Sequence, residues 1–139
     1  DNILSNKLSF INSLFLEKSY SENEIKIAIN LILQSLKWLK DGTDGRWIYR
    51  LHNEDKIESR YQITTQEIEC TLIPDRAFIE GNKRWIIDYK TLFYDKNIDL
   101  DIEAKKHLPQ LVQYEKLFDG TYKIQKAIYF VVQGRLILI

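Results

Sequence analysis

Residues 72–91 read LIPDRAFIEGNKRWIIDYKT, and the reading of this stretch decides the fold. Two apolar runs, at 72–79 and 85–87, flank a polar stretch centred on Gly81-Asn82. A Gly-Asn pair between β-rich segments is a hairpin signal, because both residues tolerate positive φ. With Gly81 and Asn82 as the two loop residues, Glu80 pairs with Lys83, and the same register sets Asp75 across from Asp88. Residues opposed in an antiparallel pair share a face, where like charges destabilise. Two facing carboxylates at the end of apolar strands need a compensating charge, and a divalent cation is the usual one. Lys90 follows Asp88 by two residues and projects from the same face, with Ile86 before them. Trp85, Ile87 and Tyr89 take the other face and read as core. Two acids and one base on one hairpin face read as a metal-dependent hydrolytic site.

Pro74 cannot donate to a ladder, so it marks an edge, a strand start or a bulge just before Asp75. A bulge would move the register by one residue. Arg76 falls on the face opposite Asp75 and is expected to make a structural ion pair.

The chain has 139 residues, 45% of them apolar and 29% charged, which suits one globular domain with a real core. The 20 basic and 20 acidic residues balance, so there is no strong basic footprint for nucleic acid. That balance counts against an independent high-affinity DNA binder and is compatible with a module to which other domains deliver the strand. No apolar run has the length of a membrane span, and no signal-peptide pattern opens the chain, so no membrane partner is expected. The single cysteine, Cys70, excludes an internal disulfide and a four-cysteine iron–sulfur cluster, and suits a reducing cytoplasm. No G-x-x-x-x-G-K-[ST] loop is present, so no ATP site is expected in this stretch of chain. The opening on Asp1 and the close on LILI lead us to expect a piece of a longer protein.

Upstream of the hairpin, Leu4, Leu8, Ile11 and Phe15 space an amphipathic helix over residues 4–16. Ser21 and Glu24 match a capping box for a second helix, whose expected buried stripe is Ile25, Ile29, Ile32, Leu33, Leu36 and Leu39, with Trp38 as packing. DGTDG at 41–45 reads as a turn cluster without calcium-loop spacing. Strands are expected at 46–51 and from 60 to 65, with His52 on the surface of the polar turn between them. Downstream, 95–101 reads as an acidic loop. A helix over 103–118 starts near His107 and Leu108, with Pro109 in its first turn. Gln110 and Tyr114 share a face of that helix. A continuous apolar strand at 126–132 is expected beside 85–91, and Gln133-Gly134 turns into a final strand at 135–139.

Asp75, then IIDYK with Asp88 and Lys90, then Gln110 and Tyr114 in QLVQY resemble the PD-(D/E)XK nuclease superfamily. The pattern is most similar to its RecB-like branch (exodeoxyribonuclease V beta-like), in which a nuclease module is fused to a UvrD/Rep-type helicase. GRWIYRLH, Glu58, IPDRAFIEGNKRWIIDYKT, HLPQLVQYEKLF and AIYFVV follow the family order from about residue 41 to residue 130. The resemblance implies an α/β fold with a restriction-endonuclease-like core, a mixed central sheet flanked by helices. It implies a single nuclease-like domain over 1–139, with N-terminal helices at 1–40 and the catalytic sheet and helix at 46–139.

In chemical terms the resemblance implies that Asp75, Asp88 and the Tyr89 backbone carbonyl hold Mg2+ or Mn2+. Lys90 would serve the attacking water, and Gln110 and Tyr114 would support the site or contact substrate. Glu58 stands where the family carries an acid, and a solvated surface glutamate explains it equally well. The implied activity is a bacterial cytoplasmic deoxyribonuclease in DNA repair and recombination, partnered by DNA, by helicase domains of the same chain and by other subunits of a helicase-nuclease complex. Two departures stand out. His107 occupies a position where relatives often carry tyrosine, and no histidine precedes His52 to supply the family's upstream metal ligand. A fragment lacking that ligand is expected to bind metal weakly and cut poorly. The competing readings are a catalytically inactive nuclease-like domain that guides DNA or docks a partner, and an unrelated α/β ligand-binding domain. A sheet that separates Asp75 from Asp88 would favour the last.

Overall fold

The computed structural model describes residues 2–65, 68–92, 98–118 and 120–139, and their side chains except at 2–5, 63–65 and 68–70. The Leu4 side chain of the expected first stripe, the Cys70 side chain and most of the expected acidic loop lie outside what the structure describes. The fold is α/β: a five-stranded mixed sheet with helices on its faces, and a separate two-stranded sheet.

The hairpin forms as its turn chemistry requires. Strand β4 (Arg76–Glu80) pairs antiparallel with β5 (Lys83–Lys90), Glu80 opposite Lys83 and Arg76 opposite Ile87. Gly81 takes φ +62°, a conformation that glycine adopts without steric cost. Pro74 lies just before the first residue of β4, so it marks a strand start and the register does not slip. The residues before it belong to a different strand: Ile68–Leu72 (β3) pairs with Tyr61–Thr65 (β2) in the small sheet, where one strand over 71–79 had been expected.

Beside β5 on its other edge runs β6 (Lys123–Phe130), parallel, with Asp88 in register with Ile128. β7 (Arg135–Leu138) closes that side antiparallel to β6, after Gly134 at φ +64°. The opposite edge is β1 (Asn53–Ile57), antiparallel to β4. The whole order is β1-β4-β5-β6-β7. β5 is thus central, flanked by its hairpin partner and a parallel strand.

Three further elements depart from the sequence expectation. Residues 46–51 do not form a strand; Thr43–Tyr49 is a helix, α3. It follows α2 (Glu22–Asp41) after a single residue, Gly42, and it lies tight against the end of α2. At Gly45 a Cβ would stand 2.3 Å from the Trp38 carbonyl oxygen and 2.8 Å from the Leu39 Cα, so only glycine permits this approach. The polar run at 53–57 is β1 rather than part of a turn. As an edge strand with one partner it exposes most of its residues, and its acids are used on the sheet: Asp55 pairs with Arg76 and Glu54 with Arg84. The segment expected as one helix over 103–118 is two: α4 (Leu100–Lys105), capped by the Asp99 carboxylate, and α5 (Leu108–Glu115), with Pro109 in its first turn.

Ahead of these lie α1 (Asn2–Glu17) and α2, whose capping box forms as expected: Ser21 Oγ accepts from Glu24 N–H while the Glu24 carboxylate accepts from Ser21 N–H. The α2 stripe is less covered than expected. Ile25 is buried, but Leu33 and Leu36 are 37% and 43% exposed, because α1 and the sheet cover only part of the helix. Trp38 packs on Gly134, where a Cβ would fall 2.4 Å from its ring.

The alternation of β5 divides the core as expected. Ile87 joins Phe78, Ala127, Tyr129 and Ile48 of α3, with Trp85 and Tyr89 against them. Ile86 joins Ile128, Phe130, Ile137 and the α4–α5 residues Ala104, Leu111 and Tyr114. Asp88 and Lys90 therefore point to the side that α5 covers.

Candidate functional site

The site forms where β5 outruns β4. Asp75 precedes the first residue of β4 and turns its carboxylate onto the next free backbone group of β5: Tyr89 N–H donates to Asp75 Oδ2 at 2.7 Å. A residue in a strand directs its N–H and C=O toward the same neighbour. The Tyr89 carbonyl oxygen is therefore directed toward the edge that Asp75 occupies. The Lys90 carbonyl takes the other edge and accepts from Val131 N–H at 3.0 Å. The sequence register thus placed Asp75 beside Asp88 correctly, while the cap on Tyr89 was not foreseen. Its signal was Pro74, which ends the ladder one residue before an acid.

Asp88 is 2% exposed and is held from two directions. Gln110, from the first turns of α5, donates Nε2–H to Asp88 Oδ1 at 3.0 Å. Lys90 Nζ lies 2.6 Å from Asp88 Oδ2, and it donates to Gln110 Oε1 at 3.3 Å. The Lys90–Asp88 contact is one of charge. Its direction falls outside hydrogen-bond geometry, and Oδ2 is left buried with no hydrogen bond among the described residues. Gln110 Nε2 also lies 2.7 Å from the Tyr114 hydroxyl, one helical turn on. Gln110 is thereby the hub that ties Asp88, Lys90 and Tyr114 together.

Burial pushes the Asp88 carboxyl above the ordinary aspartate value, and the charge of Asp75 adds to the rise. Lys90 opposes both, through its contact with the carboxylate. Such a carboxylate, desolvated beside a second one, carries an electrostatic cost that a cation would relieve. Among the described residues no three His, Cys, Asp or Glu side chains are grouped to hold a metal by themselves. Two carboxylates with a backbone carbonyl form a different donor set, and hard oxygen donors with room for waters suit Mg2+ or Mn2+. The unbonded Asp88 Oδ2 and the Tyr89 carbonyl on the Asp75 edge fit such an ion.

Glu58 is exposed, and its backbone N–H donates to the Asp75 carbonyl at 3.0 Å, so β1 delivers it beside the site through the main chain. Arg76 makes the structural pair expected of it: 3% exposed, it reaches Asp55 Oδ2 at 2.5 Å and Oδ1 at 3.0 Å, and donates to the Arg50 carbonyl at 3.1 Å.

His52 is not on the surface, contrary to expectation. Its side chain is fully buried, stacked on Phe78 with centroids 3.7 Å apart. Both ring nitrogens are engaged, Nδ1 with Glu80 Oε2 at 3.0 Å and Nε2 with the Trp47 carbonyl at 2.8 Å. With both nitrogens engaged by protein partners, His52 is not free to bind a metal. The polar residues around it misled the sequence reading, because the helix that covers it was read as a strand. No helix among the described residues is long and apolar enough to cross a membrane. No family model matches this sequence, and no curated protein does.

Proposed function

We propose that this chain is the metal-dependent DNA nuclease module of a helicase-nuclease, built on a restriction-endonuclease-like core of the RecB-like kind, and that it hydrolyses phosphodiester bonds in DNA repair or recombination. The observation that carries this reading is the convergence at Gln110. A helix 20 residues beyond Lys90 returns its glutamine and tyrosine onto the one buried aspartate and lysine that the resemblance singles out. That convergence supports the resemblance over a chance match of the sequence motif.

Mg2+ or Mn2+ held by Asp75, Asp88 and the Tyr89 carbonyl would supply an activated water and neutralise charge on the scissile phosphate. The chain's own residues prepare for this. Gln110 holds Asp88 Oδ1, while Oδ2 faces Lys90 and carries no hydrogen bond among the described residues. Lys90, 26% exposed, can exchange its contact with Asp88 for one with a water or a phosphate oxygen, where its ammonium would orient the nucleophile and stabilise developing negative charge. Tyr89 and Asp75 hold the strand end in place, so the ligating oxygens keep their spacing.

One observation favours the alternative, an inactive nuclease-like domain that guides DNA or docks a partner: Lys90 already neutralises Asp88 from 2.6 Å. Mn2+ titration by calorimetry, on this chain and on its Asp88→Ala variant, separates the two. Saturable binding that the variant loses, followed by Mg2+-dependent cleavage of linear DNA, is the expected result. No binding at millimolar Mn2+, by this chain and by one extended upstream to supply a histidine, would reject the nuclease and leave the guiding domain.

A further inference from the structure

We propose that His107 is a substrate-contacting residue of this site, its imidazole donating a hydrogen bond to a phosphate oxygen of the bound DNA strand. The inference rests on the nuclease reading and adds to it a contact on the strand. His107 occupies the N-cap position of α5 with near-helical backbone (φ −93°, ψ −2°). Its backbone is fixed by His107 N–H to the Ala104 carbonyl at 3.0 Å and by Leu111 N–H to its own carbonyl at 3.3 Å. Residues 107, 110 and 114 stand three and seven apart, so they share one helix face. Of the other two members of that face, Gln110 is bonded to Asp88 and Tyr114 to Gln110.

His107 is half-buried, and its ring makes no hydrogen bond or ion pair among the described residues. It caps nothing: α5 has no side-chain hydrogen bond at its N-terminus. Its charge reaches the Asp88 carboxyl, which it lowers. The charged groups nearby have other uses. Lys90 lies on Asp88, while Glu103 and Lys106 of the preceding turn bond each other. A half-buried imidazole on the helix face that carries Gln110, with its charged neighbours already paired, is placed to take a phosphate oxygen. Among the described residues it does not join Asp75 and Asp88 in a group of three metal-ligating side chains.

The test uses the whole chain, His107→Ala and His107→Gln, with Mn2+ calorimetry and steady-state cleavage of a linear DNA. A lost hydrogen bond to a charged group predicts that KM rises about tenfold in His107→Ala while kcat stays within about twofold. His107→Gln, which keeps a donor, should recover most of that loss, and Mn2+ affinity should be unchanged in both. Unaltered KM in His107→Ala would overturn the inference. So would a fall in kcat together with Mn2+ affinity, which would make the residue a support of the metal site. Failure to bind Mn2+ by the wild-type chain, with or without an upstream extension that supplies a histidine, would instead refute the nuclease reading, and this inference would fall with it.

Discussion

Truncating Gln110 to alanine tests whether the hub is a real energetic unit. The amide makes its strongest bond to a carboxylate that is 2% exposed, at 3.0 Å. A hydrogen bond to a charged group contributes about 1.5–3 kcal/mol, and water cannot readily replace it at so buried an oxygen. The 3.3 Å contact with Lys90, which is partly in solvent, adds on the order of 0.5 kcal/mol at most. Gln110→Ala should therefore destabilise the metal-free protein by about 2–3 kcal/mol. In a domain of this size that lowers Tm by roughly 6–10 °C. In an Asp88→Ala background the same truncation should cost less than about 1 kcal/mol, because the group it served is gone. Urea unfolding in EDTA, followed by the fluorescence of Trp38, Trp47 and Trp85 and by circular dichroism, gives the four stabilities of the cycle. A coupling energy near 2 kcal/mol is expected. Additivity within about 0.5 kcal/mol would show that Gln110 and Asp88 do not interact, and the reasoning for the site would fail.

Other consequences can be measured on the same material. Because burial raises the Asp88 carboxyl above its unfolded value, the folded state holds that proton more tightly. The stabilising contribution is complete below the unfolded carboxylate value and is lost as pH rises through the raised one. Metal-free wild type should lose stability relative to Asp88→Asn over that rise, so parallel pH–stability curves would contradict the assignment. Arg76→Met removes the buried partner of Asp55 and should cost about 3–5 kcal/mol in denaturant unfolding, whereas a change under about 1 kcal/mol would mean the pair is not buried in solution. Gly45→Ala forces a Cβ against the α2 backbone and should cost roughly 2 kcal/mol or more, with a neutral result refuting the close approach of α2 and α3.

The local signals in this chain were read correctly from sequence because their causes are local. Gly81-Asn82 sets the hairpin register, Ser21 and Glu24 satisfy each other across one helical turn, and strict alternation in β5 separates Ile87 from Asp88. Each depends on residues within a few positions of one another, so backbone sterics and short-range hydrogen bonds suffice. The candidate site was legible for the same reason: Asp75, Asp88 and Lys90 lie on one hairpin, and Gln110 and Tyr114 on one helix.

What tertiary structure alone decided is where partners lie far apart in the chain. Residues 43–49 became a helix because Gly45 allows contact with α2, and no property of WIY itself distinguishes that from a strand. The polar NEDKI segment became a strand because Arg76 and Arg84 meet its acids from the neighbouring strands of the same sheet. His52 was buried by Phe78 and Glu80, 26 and 28 residues later. The meeting of Gln110 with Asp88 likewise required the chain to cross from β5 through α4 and α5. Sequence set the alternation and the caps, which are short-range. Burial, and therefore the electrostatic strain on Asp88, depends on which distant surfaces come to cover a residue, and only the folded chain determines that.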